Sequence, residues 1–155
     1  MSRASAPILY ADDDPDDRML TADALRESGV ANPLAVVENG EEVLAYLRRE
    51  DRWADPVSSP RPGIILMDLN MPKLDGREAL VAIKADPRFS SIPVVILTTS
   101  QAEADIARSY AVGASSYIRK PVTFDGLVQV MAQLGRYWFE IVRLPAAGRI
   151  REEGR

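Results

Sequence analysis

The side chains of this sequence that could do chemistry together are three carboxylates, one hydroxyl and one amine. They are Asp12, Asp13, Asp68, Thr98 and Lys120, and each stands at the end of a short apolar run or just beyond it. Three carboxylates can hold one Mg²⁺ ion whose remaining positions are filled by water. The ion, the ammonium and the hydroxyl could then neutralise the oxygens of a phosphoryl group. These residue types predict a magnesium site beside a cationic phosphoryl anchor, provided that the fold brings them together.

The elements that would bring them together are strands and helices that alternate five times. The predicted strands are residues 8–11, 34–37, 63–67, 93–97 and 115–118. The predicted helices are residues 16–28, 40–49, 77–85, 102–111 and 124–142. This alternation predicts an α/β fold whose parallel sheet is covered on both faces, because each right-handed crossover packs back on the sheet. Ligands bind beyond the carboxyl ends of such strands, so we expect the five residues to meet in one crevice.

Composition narrows the chemistry and the setting. The 155 residues include no cysteine and no histidine, so a metal ion must be held by oxygen. The net charge is −4 and the basic residues are scattered, which argues against nucleic acid as a partner. The sequence starts without a signal-peptide pattern, and no apolar stretch approaches the ~20 residues of a membrane span. We therefore expect a cytoplasmic protein that has no membrane segment.

Four motifs make the chain resemble the receiver domains of bacterial two-component response regulators, over about residues 6–140. The motifs are the acidic pair Asp12 and Asp13, the stretch MDLNMPKLDG at residues 67–76, Thr98 within VVILTTS, and Lys120 followed by Pro121 after GASSYIR. Each motif is weak alone, but the four in this order and spacing are specific. The resemblance implies a flavodoxin-like (βα)5 fold, a doubly wound parallel sheet of five strands in the order 2-1-3-4-5 with an extended last helix. We expect a single domain at residues 1–144 and a flexible tail at residues 145–155.

The resemblance also implies which residues accept the phosphoryl group and hold the metal ion. Asp68 is then the phosphoacceptor and one of the ligands of Mg²⁺. Asp13 binds the ion directly, and Asp12 helps either directly or through water. The backbone carbonyl of Asn70 adds a further ligand.

Three more residues take part in the response to phosphorylation if the resemblance holds. Lys120 contacts the phosphoryl group, Thr98 turns towards it, and Tyr117 changes its rotamer as a result. In the family, the peptide bond before the proline that corresponds to Pro121 is cis.

The acidic segment ADDDPDD at residues 11–17 has a divided interpretation. Its first two aspartates belong to the metal site. Asp14 before Pro15 predicts a helix N-cap with proline at the first helical position. Asp16 and Asp17 would stand in the first turn, where the helix dipole favours negative charge. A chemical role is therefore assigned to two of the five carboxylates.

The function that follows is that of a single-domain response regulator, which accepts a phosphoryl group from a sensor histidine kinase onto Asp68 and slowly hydrolyses it. Such a protein is not an enzyme. The residues after 142 are too few for a DNA-binding output domain, so the output is expected to be a protein contact or a phosphorelay. One alternative is a haloacid-dehalogenase-like phosphohydrolase, although that family expects an acid where Asn70 stands. Another is a binding module that works without phosphorylation.

The C-terminal helix carries more apolar residues than one sheet can cover. One stripe at heptad-like spacing consists of Phe124, Leu127, Met131, Leu134, Trp138 and Ile141. We expect a homodimer through Trp138, Phe139, Ile141 and Val142, the alternative being that the last turns fold back on the domain. This tail, the loop that carries Trp53 and the LTTS sequence are similar to the single-domain regulators of bacterial phytochromes, so the kinase partner would be a bacteriophytochrome.

Overall fold

The five predicted strands form one parallel sheet in a computed structural model, which describes residues 6–141. The strands are β1 (Ile8–Ala11), β2 (Leu34–Val37), β3 (Ile64–Met67), β4 (Val94–Thr98) and β5 (Ser116–Arg119). Their order is β2-β1-β3-β4-β5, so the predicted flavodoxin-like topology is confirmed. Strands β1, β3 and β4 are wholly buried, as expected of the central strands of a sheet that is covered on both faces.

The register of the sheet determines which polar residues lie next to each other at its carboxyl edge. Ala11 of β1 pairs with Met67 of β3, so Asp12 and Asp68 follow their strands side by side. On the other flank, Thr98 of β4 pairs with Arg119 of β5. The residues that follow these strands therefore converge on the carboxyl edge of the sheet.

Five helices cover the two faces of the sheet. They are α1 (Pro15–Glu27), α2 (Gly40–Arg48), α3 (Gly76–Ala85), α4 (Glu103–Val112) and α5 (Phe124–Arg136). Leu25 of α1 and Met131 of α5 belong to one buried apolar cluster, and Leu47 of α2 and Ile83 of α3 belong to the other. Among the described residues, no helix has both the length and the hydropathy that a membrane crossing requires.

Helix α1 begins as the sequence predicts. Asp14 has an extended backbone, and its side chain accepts hydrogen bonds from the backbone N–H groups of Asp16 and Asp17. Pro15 follows at the first helical position, where its missing N–H costs nothing. The cap fixes the direction in which the first turn of α1 leaves the carboxyl edge of β1.

Helix α3 begins in direct contact with the loop that carries Asp68. Asp75 and Glu78 form a reciprocal capping box, so both serve the start of the helix. A Cβ atom on Gly76 would lie 2.1 Å from the backbone carbonyl oxygen of Asp68, which leaves room only for glycine. The first turn of α3 therefore packs directly against the backbone of Asp68.

The end of the last helix differs from the predicted heptad stripe. After α5 the chain continues as a π-helix over Tyr137–Ile141, in which hydrogen bonds span five residues. This turn brings Phe139, five residues after Leu134, into the core, where it is 5% exposed. The prediction that Phe139 belongs to a dimer surface is therefore wrong, because the domain's own core takes the ring. Trp138, which the sequence also assigns to the dimer surface, is half-buried.

The remaining predictions for the tail fall largely outside the described residues. The structure gives no side-chain description for Ile141, and the description of the chain ends before Val142. The domain boundary expected at residue 144 and the tail at residues 145–155 also lie outside the described residues.

Candidate functional site

Four of the five residues that the sequence singled out lie together at the carboxyl edge of the sheet. Asp12 and Thr98 are fully buried, and Asp68 and Lys120 are each 7% exposed. Buried charges are costly unless they are paired, so these groups must compensate one another. The fifth residue, Asp13, follows Asp12 in the sequence, and its side chain is exposed to solvent.

Lys120 is the centre of the cluster. Its Nζ lies 2.7 Å from Oδ2 of Asp12, 3.0 Å from Oδ2 of Asp17 and 3.2 Å from Oδ2 of Asp68. Burial lowers the pKa of Lys120, but the hydrogen bond to Asp12 and the charges of Asp12 and Asp68 outweigh burial and hold the pKa above its usual range. The ammonium is therefore a permanent positive charge in contact with Asp68.

The Asp68 carboxylate is held in one orientation by three donors. Its Oδ1 accepts a hydrogen bond from the hydroxyl of Thr98 at 2.7 Å and from the backbone N–H of Asn70 at 3.2 Å. Its Oδ2 faces the ammonium of Lys120. An ionised carboxylate that is fixed in this way beside a cation can act as a nucleophile towards an electrophilic phosphorus atom.

The Asp12 carboxylate accepts hydrogen bonds from three protein donors. Its Oδ2 accepts from the hydroxyl of Tyr10 at 2.7 Å as well as from Lys120, and its Oδ1 accepts from the backbone N–H of Asp14 at 3.0 Å. Burial, together with the charge of Asp12, raises the pKa of the Tyr10 phenol far above its usual value, so the phenol remains a donor. Asp12 thus anchors Lys120 from the inner side of the cluster.

The oxygen donors for a metal ion are more dispersed than the sequence suggested. Within residues 6–141, no three acidic, histidine or cysteine side chains are arranged to hold an ion. The reason is that the ammonium of Lys120 stands between the carboxylates of Asp12 and Asp68. Mg²⁺ often uses only one or two carboxylates and keeps several waters. The carboxylates of Asp13 and Asp68 and the backbone carbonyls near them are oxygen donors, the type that a hard divalent cation prefers.

The loop that follows Thr98 takes part in a second polar network. Tyr117 is half-buried, and its hydroxyl donates to the backbone carbonyl of Ser100 at 3.0 Å. Ser100 Oγ in turn donates to Asp105 at 2.7 Å, and Arg77 holds the same carboxylate with two hydrogen bonds of 2.8 Å. The loop that follows Thr98 is therefore tied to α3, α4 and β5.

The pKa of Asp105 reflects this network. The hydrogen bonds from Arg77, followed by the one from Ser100, lower the pKa of Asp105 to about 2. The carboxylate therefore stays charged under all ordinary conditions. Arg77 and Asp105 were not singled out from the sequence, because 28 residues separate them and no motif contains both.

One structural expectation of the resemblance is wrong. None of the described peptide bonds is cis, so the bond between Lys120 and Pro121 is trans. The trans form is the preferred one even before proline.

Two residues of the cluster have contacts that the sequence analysis does not predict. The sequence assigns Asp17 to the helix dipole alone, yet its carboxylate binds Lys120, which lies 103 residues away. No sequence signal indicates that contact. Tyr10 was treated as part of a buried strand, but it stands two residues before Asp12, and alternate residues of a strand share a face. That spacing could have identified it as a partner of Asp12.

The comparisons with known proteins agree with this geometry. A family model, the response regulator receiver domain, matches residues 8–132. The response regulator Rcp1 of Synechocystis sp. is 37% identical over 150 residues, which is 95% of this chain and 100% of that protein.

Two crystal structures extend the likeness to the fold. That of the phosphorylated cyanobacterial phytochrome response regulator RcpA has a TM-score of 0.84 at 39% identity, covering 92% of this chain and 99% of that chain. The Mn²⁺-bound form of Rcp1 has a TM-score of 0.82 at 36% identity, covering 91% of this chain and 99% of that chain.

These findings bear on one of the two alternatives that the sequence left open. The haloacid-dehalogenase-like alternative is not supported, because the matching family and the similar structures are those of response regulators. The family match spans more than half of the chain, and the likeness to Rcp1 spans nearly all of it. The chain therefore belongs to the response regulator receiver domain family.

Proposed function

We propose that this receiver takes a phosphoryl group from a phosphohistidine of a sensor kinase onto Asp68, with the help of Mg²⁺. The observation that carries the proposal is the environment of Asp68. Its carboxylate is buried and fixed between the hydroxyl of Thr98 and the ammonium of Lys120. Such a group has one oxygen oriented by neutral donors and the other beside a positive charge, as a nucleophile for phosphoryl transfer requires.

The transfer step needs no other protein nucleophile. A carboxylate oxygen of Asp68 attacks phosphorus, the bond between phosphorus and the donor imidazole breaks, and the imidazole nitrogen leaves with the electron pair. Lys120 neutralises a phosphoryl oxygen. The Thr98 hydroxyl, which donates to Asp68 before the reaction, then donates to the phosphoryl group. A shift of Thr98 would reach Tyr117 through the loop that Ser100 ties to it.

The proposed metal ligands are the carboxylates of Asp13 and Asp68 and the backbone carbonyl of Asn70. When bound, the ion supplies positive charge that offsets the charge of the phosphoryl oxygens. Asp12 acts on the site chiefly through Lys120, because its oxygens already accept hydrogen bonds from protein groups. The Mn²⁺-bound form of Rcp1 supports a divalent ion in a related protein, and the all-oxygen donors favour Mg²⁺ here.

Slow loss of the phosphoryl group by hydrolysis is part of the proposal. The sequence contains no histidine that could activate water as a general base, and the donors around Asp68 serve to bind charge. We therefore propose a phosphorylated state that persists long enough to signal, and no multiple turnover.

The proposed kinase partner is a phytochrome. RcpA is a phytochrome response regulator, and it resembles this chain over nearly its whole length.

We also propose a homodimer, through a surface with fewer residues than the sequence suggested. Phe139 belongs to the core, whereas the side chain of Tyr137 is 51% exposed and Trp138 beside it is half-buried. These two rings, which contact each other edge to face, would lie at the centre of the interface.

Incubation with acetyl phosphate and Mg²⁺, followed by intact mass measurement, tests the function. A receiver gains at most one phosphoryl group per chain, and removal of Mg²⁺ with EDTA prevents the gain. Continuous release of phosphate with no stoichiometric adduct would instead indicate a hydrolase. No gain under any condition would leave the binding module that works without phosphorylation.

A further inference from the structure

The ammonium of Lys120 contacts one carboxylate that the proposed chemistry does not use. An ammonium has three N–H donors and no acceptor, and Lys120 directs them to Asp12, Asp17 and Asp68. Asp17 lies in the first turn of α1, and its Oδ2 is closer to Nζ than is the oxygen of Asp68, at 3.0 Å against 3.2 Å. The cation that faces the reacting carboxylate is therefore shared with a residue of another element.

The three carboxylates differ in what can happen to them. Asp12 is fully buried, and hydrogen bonds from Tyr10 and from a backbone N–H hold its position. Asp68 is the group that reacts. The side chain of Asp17 is 34% exposed and lies in the first turn of α1, and the transfer step forms and breaks no bond to it. Asp17 is thus a carboxylate on the outer side of Lys120 that the reaction itself does not alter.

A negative charge at that position opposes the reaction. Phosphoryl transfer brings a donor with about two negative charges to Asp68 and leaves more negative charge there than before. The attraction of Lys120 for those oxygens is offset by each carboxylate that stays in contact with the ammonium. Asp17 also occupies a donor of Lys120 that would otherwise be available to a phosphoryl oxygen.

We propose that Asp17 is a positioning residue of the phosphorylation site, which holds the Lys120 ammonium beside Asp12 and thereby slows the arrival of a phosphoryl group at Asp68. This inference rests on the proposed roles of Asp68 and Lys120. With acetyl phosphate as donor, the bond from an Asp68 oxygen to phosphorus forms, the bond from phosphorus to the acetate oxygen breaks, and acetate leaves with the electron pair. Asp17 exchanges neither a proton nor electrons.

The test compares the initial rate of mass gain from acetyl phosphate in four proteins at saturating Mg²⁺. They are the wild type, Asp17→Asn, Asp17→Glu and the matched control Asp16→Asn. Asn keeps an acceptor oxygen and removes the charge, whereas Glu restores the charge. Asp16 is an exposed acid of the same helical turn, and the contacts of Lys120 do not include it. The control therefore removes the same charge without touching Lys120.

We expect Asp17→Asn to react about threefold to tenfold faster than the wild type at low donor concentration. The expected increase is no larger because the side chain of Asp17 is partly exposed, so that solvent screens its charge. The gain should appear as a lower half-saturating concentration of acetyl phosphate, with a limiting rate within about twofold of the wild type. Asp17→Glu should return to within about twofold of the wild-type rate, and Asp16→Asn should change it by less than about 1.5-fold.

Two results would overturn the inference while leaving the proposed function intact. One is a rate for Asp17→Asn equal to that of Asp16→Asn, and the other is a rate below that of the wild type. Failure of the proposed function looks different, since the wild type would then take up no phosphoryl group, or Asp68→Asn would still take one up. In that case the inference falls with it.

Discussion

Replacing Phe139 by alanine tests the position that the π-helical turn gives to this ring. The ring is 5% exposed and lies in the cluster that contains Leu134 and Met131. A buried phenylalanine removes about 150–250 Å² from water, which corresponds to roughly 4–6 kcal/mol at about 25 cal/mol per Å². Neighbouring groups in a core usually relax to fill part of the space that such a substitution leaves. We therefore expect Phe139→Ala to lower the free energy of unfolding by about 3 kcal/mol.

Urea denaturation followed by circular dichroism measures this loss, with Met19→Ala as the control. Met19 is 58% exposed and lies outside the proposed dimer surface, so its removal should cost less than about 1 kcal/mol. For a chain of this size the expected loss for Phe139→Ala also lowers the melting temperature by about 6–12 °C. Equal and small losses for the two variants, with dissociation of a dimer only for Phe139→Ala, would refute the assignment of Phe139 to the core.

Three further predictions concern the support of the site, its outer network and the dimer. Gly76→Ala should destabilise the fold by several kcal/mol and slow phosphorylation, measured by urea denaturation and intact mass, because the added Cβ would meet the carbonyl of Asp68 at 2.1 Å. Arg77→Gln should cost about 1 kcal/mol of stability at pH 7. Since the folded pKa of Asp105 is lowered from 3.8 to about 2, that cost should be present above pH 3.8 and disappear as the pH falls towards 2 in a urea titration series. Trp138→Ser should yield a monomer by analytical ultracentrifugation at tens of micromolar that still accepts a phosphoryl group, and a dimer of that variant would contradict the proposed interface.

The sheet and the inner part of the site were predictable because their signals are local. Each strand is a short apolar run, and the residue at its end is polar. In a parallel sheet those ends meet at one edge, so Asp12, Asp68, Thr98 and Lys120 had to come close to one another once the strands were identified. The N-cap of α1 was predictable from another local signal, because Asp14 stands directly before Pro15.

The contacts that the sequence did not reveal depend on how separate elements approach each other. Lys120 follows β5, but its ammonium contacts both Asp12, which follows β1, and Asp17 in the first turn of α1, and nothing in the residues around Asp17 indicates that contact. Phe139 enters the core because the helix changes from α to π geometry after Arg136, whereas the heptad spacing assumed a continuous α-helix. A change of helix geometry of this kind depends on how the helix packs against the rest of the domain.

The most direct test of the account is the site of phosphorylation itself. Asp68→Asn keeps the size of the side chain and its acceptor oxygen but removes the nucleophilic carboxylate. With Mg²⁺ and acetyl phosphate, intact mass should show up to one added phosphoryl group on the wild type and on the control Asp75→Asn, whose side chain caps α3. Asp68→Asn should show none while retaining the circular dichroism spectrum of the wild type. A phosphoryl group on Asp68→Asn would contradict the central claim.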